Sequence, residues 1–249
     1  MNKSITKISE KIVVIFALCT TFSCSFEDLS EIAETGTGGS LARFTIINDH
    51  LYTVDVENLH IFDIASPASI VYHDFINVGF GIETIFPYQN QLYIGANNGM
   101  YIYTLENPSN PEFASFSNHM ISYDPVVVQG HYAFVTLRSG NRNWWQPSSL
   151  QIYDIKDIEN PRLINEYELE EPYGLAVKED VLLVCDNGLK VFDISFINEI
   201  LLLQKIDVKA TDVIIKDTLV VVTGEDGLYQ YQANEDKSLT LLSHLSMGK

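Results

Sequence analysis

The sequence has few cysteines, few basic side chains and only short apolar runs. Of its three cysteines, Cys19 and Cys24 lie in the first two dozen residues, which leaves Cys185 alone in the remainder. A single thiol cannot form an intramolecular disulfide, so we expect a fold without cross-links. The apolar run Ile12–Leu18 has seven residues, whereas about 20 are needed to span a bilayer. This run is therefore too short for an anchor helix.

Positive charge is also scarce. The chain carries 33 acidic and 15 basic residues, which gives a formal net charge of −18 at pH 7. A surplus of this sign repels the phosphates of nucleic acids and the headgroups of anionic lipids. We therefore expect no nucleic acid among the partners, and contact with a membrane only through a lipid anchor.

The motifs of common catalytic and metal sites are missing. The sequence contains no Gly-x-Ser-x-Gly elbow, no His-Glu-x-x-His and no Cys-x-x-Cys. Its six histidines never fall at the spacing of metal ligands. These absences predict no cofactor and no metal, and they favour a protein that is not an enzyme.

The first 40 residues resemble the leader and tether of a bacterial lipoprotein. Three lysines precede the apolar run, and Thr21-Phe-Ser-Cys24 closes it as a relaxed lipoprotein signal-peptidase box would. We predict a signal peptide over 1–23, an acylated Cys24, and an acidic flexible tether over 24–40. This places the protein at the cell envelope, on the periplasmic or surface face of the outer membrane. The alternative is a secreted protein that keeps Cys24 as a free thiol.

A repeat is the most informative feature that is present. The pattern Gly-Leu-Lys-Val-Phe-Asp-Ile of Gly188–Ile194 recurs, with substitutions, at 58–64, 99–105, 149–155 and, in decayed form, at 227–233. The steps between copies are 41, 50, 39 and 39 residues. A period of this size that contains several short apolar strands is typical of a stacked or radial β-array.

Each copy contains four strand-like segments. They are rich in Val, Ile, Phe and Tyr and are separated by polar turns. Asn-Gly or Asp-Gly stands between the second and third segments at 97–99, 186–188 and 225–227, where positive φ suits a tight hairpin. Sustained helical periodicity is missing from Leu41 onward. The sequence therefore predicts an all-β protein.

Four strands per repeat match one blade of a β-propeller. The sequence predicts a five-bladed β-propeller of four-stranded antiparallel blades over 41–249. The blades are expected at about 41–79, 80–120, 121–170, 171–209 and 210–247. The array begins on an inner strand and ends on an outer one, so closure between the first and last blades would depend on face-to-face packing of apolar side chains.

The copies resemble the LVIVD repeats, a family of bacterial β-propeller repeats named for the motif that stands here as Leu189-Lys-Val-Phe-Asp193. The chain is similar to a lipoprotein branch of that family at Asp124–Val128, Tyr132–Gly140, Leu150–Ile155 and Leu183–Asp186. Members of the branch often have a cysteine in the loop that follows Gly140. That loop has none here, so a family disulfide to Cys185 is absent. The resemblance implies a fold and a location, and the family has no established biochemical activity to add.

One group of candidate binding residues lies where the inner strands begin, at the mouth of the central channel of a propeller. Alignment of the repeats places Ala42, Glu83, Asp124, Tyr173 and Thr211 at equivalent positions there, with Arg43 and Asp212 beside them. Converging carboxylates bind a cation or serve as the acid and base of glycoside hydrolysis, and otherwise they are hydrated residues of the rim. Asp124 is also placed to pair with Arg138 of the same blade, as a structural or a functional contact.

The second group lies in an insertion in the third repeat. Its 50-residue step exceeds the neighbouring steps of 41 and 39, and the excess falls at Arg138–Ser149. This loop contains Trp144 and Trp145 with Arg138 and Arg142, residue types that are enriched at binding hot spots and that stack on sugar rings or cations. The alternative is that the indole rings fold back to plug the channel or to cap a blade.

These observations predict a lipid-anchored propeller that acts at the envelope as a non-enzymatic binding module for a protein or a glycan. The binding residues would be Arg138, Arg142, Trp144 and Trp145 of the insertion, with Glu83, Asp124, Tyr173 and Asp212 of the funnel. One alternative is a glycosidase-like propeller hydrolase that uses Glu83 and Asp124. Another is a purely structural assembly subunit.

Overall fold

The computed structural model describes residues 39–119, 125–139 and 147–247. Within these ranges the protein consists of strands and turns, with twenty strands in five antiparallel sheets of four. None of the described segments is a helix long and apolar enough to cross a membrane. Each sheet contains four strands that are consecutive in sequence and adjacent in the sheet. We call the sheets blades 1 to 5, in chain order.

The strand bounds follow the predicted repeats. Blade 1 contains β1 (Phe44–Ile47), β2 (His50–Val54), β3 (Asn58–Ser66) and β4 (Ser69–Asn77), and blade 2 contains β5 (Ile82–Tyr88), β6 (Gln91–Ala96), β7 (Gly99–Thr104) and β8 (Glu112–Asn118). Blade 3 contains β9 (Val126–Gln129), β10 (Tyr132–Leu137), β11 (Ser148–Asp154) and β12 (Arg162–Leu169). Blade 4 contains β13 (Pro172–Lys178), β14 (Val181–Asp186), β15 (Leu189–Asp193) and β16 (Leu201–Ile206), and blade 5 contains β17 (Ala210–Lys216), β18 (Leu219–Gly224), β19 (Gly227–Ala233) and β20 (Leu239–Ser246).

The hairpin between the first and second strands has the same backbone in every blade. Its first turn residue adopts a positive φ each time: Asn48 52°, Gln89 50°, Gly130 62°, Glu179 51° and Asp217 55°. Two-residue turns with positive φ match the right-handed twist of the strands that they join. These five hairpins are therefore alike in length and in backbone conformation.

A second repeated feature is a shift of register between the third and fourth strands. It falls at the same point of the repeat in all five blades: Ile61/Phe62, Ile102/Tyr103, Ile152/Tyr153, Val191/Phe192 and Gln230/Tyr231. A β-bulge increases the local twist and bends the strand that contains it. The repeat motif thus coincides with a bulge as well as with a strand.

Apolar side chains are buried between neighbouring blades. Four clusters of buried residues join blades 1 and 2, blades 2 and 3, blades 3 and 4, and blades 4 and 5. Blades 2, 3 and 4 are therefore buried on both faces. In each of their second strands, β6, β10 and β14, every position after the first is buried.

Blades 1 and 5 are buried on one face only. Burial alternates along most of their second strands, β2 and β18. In the ranges that the structure describes, no cluster combines side chains of blade 5 with those of blade 1. The inner strands β1, β5, β9, β13 and β17 pack side by side in that order, and β17 makes no comparable contact with β1. The expected packing between the first and last blades is therefore not made by the described residues.

Candidate functional site

One end of the molecule carries the predicted funnel residues. It is formed by the turns between second and third strands and by the links between blades, which are joined by backbone hydrogen bonds. The N–H of Gly81 donates to the carbonyl of Val56 at 2.8 Å, and the N–H of Glu225 donates to that of Lys209 at 3.1 Å. We call this end the funnel face. The turns between second and third strands, which lie at this face, differ in length from blade to blade.

Three inner strands begin at the funnel face with an irregular register. The irregularity lies between Ile82 and Thr84 in β5, between Pro172 and Leu175 in β13, and between Ala210 and Asp212 in β17. The three irregular segments contain Glu83, Tyr173 and Thr211 in turn. The alignment of the repeats places these three residues at equivalent positions. Residues at such bulges leave the regular ladder, so their side chains are re-aimed relative to the sheet.

Arg138 and Tyr173 form a contact at the base of the insertion. Arg138 directly follows β10 of blade 3, and Tyr173 lies in β13 of blade 4. The guanidinium carbon lies 4.2 Å from the centroid of the Tyr173 ring, within the range of a cation–π interaction. The Thr136 hydroxyl donates to the backbone carbonyl of Tyr173 at 2.9 Å, and the Tyr173 hydroxyl donates to Glu171 Oε1 at 3.1 Å. This half-buried pair, the Arg138–Tyr173 platform, is thus fixed from two blades.

A buried carboxylate holds the link that leads into Tyr173. Asp186 is fully buried and accepts hydrogen bonds from the N–H groups of Glu170 at 3.0 Å and Glu171 at 2.6 Å. It also accepts from Lys190 Nζ at 2.6 Å, and Lys190 lies 3.4 Å from Glu170 Oε1. A buried charge needs such partners to offset its loss of hydration. The sequence predicts only a turn at Asp186, and the available signal for this network is Lys190, a cation between the apolar residues Leu189 and Val191 of its strand.

Asp212 lies against the segment that precedes blade 1. Ser40 Oγ donates to Asp212 Oδ1 at 3.3 Å and accepts from the N–H of Leu175 at 2.8 Å. A Cβ on Gly39 or Gly174 would overlap the Asp212 carboxylate, so both close approaches require glycine. Burial raises the pKa of Asp212 to about 6. The carboxylate that the sequence offered as a ligand-binding group is thus engaged by Ser40, where blades 4 and 5 meet the start of the propeller.

Glu83 lies in another part of the funnel face. It is half-buried at the start of β5, and the Arg43 guanidinium of blade 1 donates to the carbonyl of its neighbour Ile82 at 3.4 Å. Four other predicted binding residues, and the predicted lipidation residue, lie outside the described residues: Asp124, Arg142, Trp144, Trp145 and Cys24. Of the predicted set, the structure therefore brings Arg138 and Tyr173 into contact and places Glu83 and Asp212 in separate blades.

The described residues include neither a cluster of metal ligands nor an exposed thiol. No three of their His, Cys, Asp and Glu side chains converge as metal ligands. Cys185 is a buried free thiol, and burial together with the nearby Asp212 carboxylate raises its pKa above the usual range. A thiol that is protonated and shielded from solvent is a poor nucleophile. It packs as part of the core between blades 4 and 5.

Comparison with known proteins identifies the fold. No family model matches the chain, and no curated protein does. Several solved structures are similar. A functionally unknown protein from Desulfotomaculum acetoxidans is 10% identical with a TM-score of 0.67, over 87% of this chain and 70% of its own. The periplasmic gluconolactonase of Pseudomonas aeruginosa is 12% identical with a TM-score of 0.63, over 83% and 68% respectively.

BamB from Moraxella catarrhalis is also similar, with 12% identity and a TM-score of 0.54 over 83% of this chain and 67% of its own. The gluconolactonase and BamB are β-propellers, and this chain has five sheets of four antiparallel strands. The protein is a five-bladed β-propeller. The predicted fold class is confirmed, and identities this low show the fold alone. The more specific resemblance to LVIVD repeats stays a prediction.

Proposed function

We propose that this propeller is a non-enzymatic binding module of the bacterial envelope, anchored through an acylated Cys24, with an envelope protein or glycan as its partner. The observation that carries the proposal is the Arg138–Tyr173 platform. It stands directly before the insertion that contains Trp144 and Trp145. Aromatic and arginine side chains are the types most enriched at binding hot spots, and this sequence concentrates them in the stretch that begins at Arg138.

The platform is suited to binding because its geometry is already set. The hydrogen bond from Thr136 to the Tyr173 carbonyl joins blades 3 and 4 behind the ring, and the Asp186 network fixes the link that precedes it. A contact that is ordered before binding loses less side-chain entropy when the partner arrives.

Hydrolysis that uses Asp212 has less support. Asp212 is already hydrogen-bonded to Ser40, so a substrate could reach this carboxylate only by displacing the segment that precedes blade 1. Glycosidases need two carboxyl groups about 5 to 10 Å apart. In this chain the candidate pair is Glu83 with Asp124. If the protein is a hydrolase, Glu83→Gln should abolish turnover and leave the fold intact.

Capture from solubilised envelope tests the proposal. The full chain is immobilised in detergent, and the bound proteins and glycans are identified by mass spectrometry. Replacing Trp144 and Trp145 together by alanine, or Arg138 alone, should weaken capture by about 30-fold, as expected for loss of a hot spot. Phe196→Ala is the matched control, because Phe196 is 78% exposed at the opposite end of blade 4.

Three results would contradict this assignment. If the insertion variants capture the partner as well as the wild type does, the funnel face is not the binding surface. A large fall in their melting temperature would show that the indole rings belong to the core. Consumption of a captured glycan by the wild type but not by Glu83→Gln would establish the hydrolase instead.

A further inference from the structure

A cavity opens between blades 4 and 5 at the end that carries the turns between first and second strands, opposite the funnel face. Its volume is about 420 Å³, within the range of roughly 300–1,000 Å³ that is usual for ligand pockets. Its walls come from the turn between β13 and β14, the turn between β17 and β18, and the loop between β19 and β20. We call it the blade 4–5 cavity.

In the other blades, apolar side chains fill the corresponding space. Ile194 and Ile197 follow Phe192 by two and five positions. Ile194 is buried, and Ile197 packs against the core between blades 3 and 4. The equivalent residues of blades 2 and 3 are apolar too: Leu105, Pro108, Ile155 and Ile158. Each of these blades therefore closes its interface with the preceding blade at this end.

Blade 5 lacks both of these side chains. The residues that follow Tyr231 by two and five positions are Ala233 and Asp236. Ala233 contributes only a methyl group to the wall of the cavity, and Asp236 is exposed. The fifth repeat therefore leaves its interface with blade 4 open here. The floor that this uncovers is apolar: Val181, Leu183, Ile215, Val220 and Leu239.

Lys237 holds the loop that forms one wall of the cavity. Its φ is 67°, a left-handed backbone that is unfavourable for a lysine. Its Nζ donates to Asp193 Oδ1 at 2.7 Å and to Ser195 Oγ at 2.6 Å, both in blade 4. These hydrogen bonds join the loop of blade 5 to blade 4, so the cavity is formed before a ligand arrives.

The mouth of the cavity has an excess of negative charge. Four carboxylates and two lysines are among the lining residues: Glu179, Asp180, Asp217, Glu235, Lys178 and Lys237. Lys237 is already paired with Asp193, so it adds no net positive charge. A cleft lined by one sign of charge concentrates ions of the other sign. A complementary ligand therefore offers an apolar body to the floor and a positive charge to the mouth.

We propose that the blade 4–5 cavity binds a small amine with an apolar body, at a site separate from the funnel face. The body lies on Leu183 and Val220, which are fully buried below the cavity. The ammonium group faces the carboxylates of Asp180 and Glu235, both of which are exposed. Salt screens the contact of the head group and leaves the apolar contact intact, so binding should weaken as salt is raised without being lost.

Isothermal titration of the full chain in detergent tests the class of ligand. Phenylpropylamine, phenylpropanol and phenylpropanoate share one apolar body and differ in the charge of the head group. We expect the amine to bind at least about five-fold more tightly than the alcohol, as a favourable charge contact near the surface provides. The carboxylate should bind more weakly than either.

Two variants test where the amine binds. Ala233→Ile introduces the side chain that blades 3 and 4 have at this position, so it should abolish binding and raise the melting temperature by about 2–4 °C. Detergent takes up the probe equally in both samples, so this variant also corrects for partition. Glu235→Lys should reverse the preference in favour of the carboxylate without changing the core, and it decides alone if Ala233→Ile does not fold. Asp207→Lys, the same change of charge at the funnel face, should leave the preference as it is.

Three outcomes would overturn the proposal. The first is the absence of saturable binding for every probe. The second is equal binding of the amine by the wild type and by folded Ala233→Ile, because the amine then binds elsewhere. The third is binding of the alcohol or the carboxylate to the wild type as tightly as the amine, or a preference that Glu235→Lys leaves unchanged, because charge at the mouth then does not select the ligand.

Discussion

Replacing Asp212 by asparagine should make the protein more stable at neutral pH and leave its stability almost unchanged near pH 4. The carboxylate accepts hydrogen bonds from Ser40 and from the N–H of Val213 through the same oxygen, Oδ1, and an amide oxygen accepts both equally well. The substitution therefore preserves the contacts that position the side chain. It removes only the charge that burial disfavours.

The sign and size of the effect follow from the pKa of Asp212, which burial raises from 3.8 to about 6. Well below pH 3.8 the group is protonated in the folded and unfolded chains alike. Between pH 4 and 6 the unfolded chain releases its proton first, so the wild type loses stability as the pH rises. A gap of about two pH units corresponds to roughly 2–3 kcal/mol at about 1.4 kcal/mol each, and this loss is complete above pH 7.

Urea unfolding at pH 4 to 8, followed by circular dichroism, measures the difference between Asp212→Asn and the wild type. The excess free energy of unfolding of the variant should rise from near zero at pH 4 to roughly 2–3 kcal/mol at pH 8. Asp207→Asn removes an exposed carboxylate from the link before β17 and corrects for the change in net charge. A difference that is constant with pH, or that shrinks as the pH rises, would refute burial as the cause.

Three further predictions concern other parts of the chain. Gly130→Ala should lower the free energy of unfolding by about 1 kcal/mol, because the φ of Gly130 is left-handed at 62° and nothing lies within 4 Å of the added Cβ. Gln89→Gly at the equivalent turn should raise it by a similar amount. Thermal unfolding measures both variants, and effects of the same sign would contradict the prediction. Lys190→Met should lower the free energy of unfolding by about 3 kcal/mol, because Asp186 is then buried without its cation. Adding Asp186→Asn to this variant should restore part of the loss, and failure to do so would argue against the pairing. Intact mass of the membrane-extracted protein should show a diacyl or triacyl Cys24 as its first residue, whereas an unmodified Cys24 would remove the anchor.

The sequence predicted the blades because the repeat contains all the local information that one blade needs. Asn-Gly and Asp-Gly specify the hairpins, and the structure gives Gly188 and Gly227 φ values of 126° and 154°. The same reasoning treated the five repeats as equivalent, so it expected the end blades to be covered on both faces. One signal was available. In the decayed fifth copy, Gln230 and Gln232 occupy the third strand at positions that point away from blade 4.

The contacts at the funnel face were harder to predict because they join residues far apart in the chain. Ser40 and Asp212 are 172 positions apart, and no pattern within one repeat relates them. Alignment of the repeats did place Glu83, Tyr173 and Thr211 at equivalent positions, since all three lie where the inner strand leaves its regular register. Alignment compares repeats with one another, so it cannot show that the Asp212 carboxylate contacts a segment outside the repeats.

The turns between first and second strands repeat in every blade, whereas the contacts of the funnel face do not. At one end, five turns of two residues share one backbone conformation, although only Gly130 among them escapes the strain of a left-handed backbone. A turn that is the same in every blade has a structural role, which is to join the first two strands of the sheet. At the funnel face each blade is different: Ser40 contacts Asp212, Arg138 stacks on Tyr173, and Lys190 neutralises Asp186. Binding residues commonly lie on varied loops that a rigid scaffold positions, and these contacts between blades hold the loops of the funnel face, so the search for a partner belongs there.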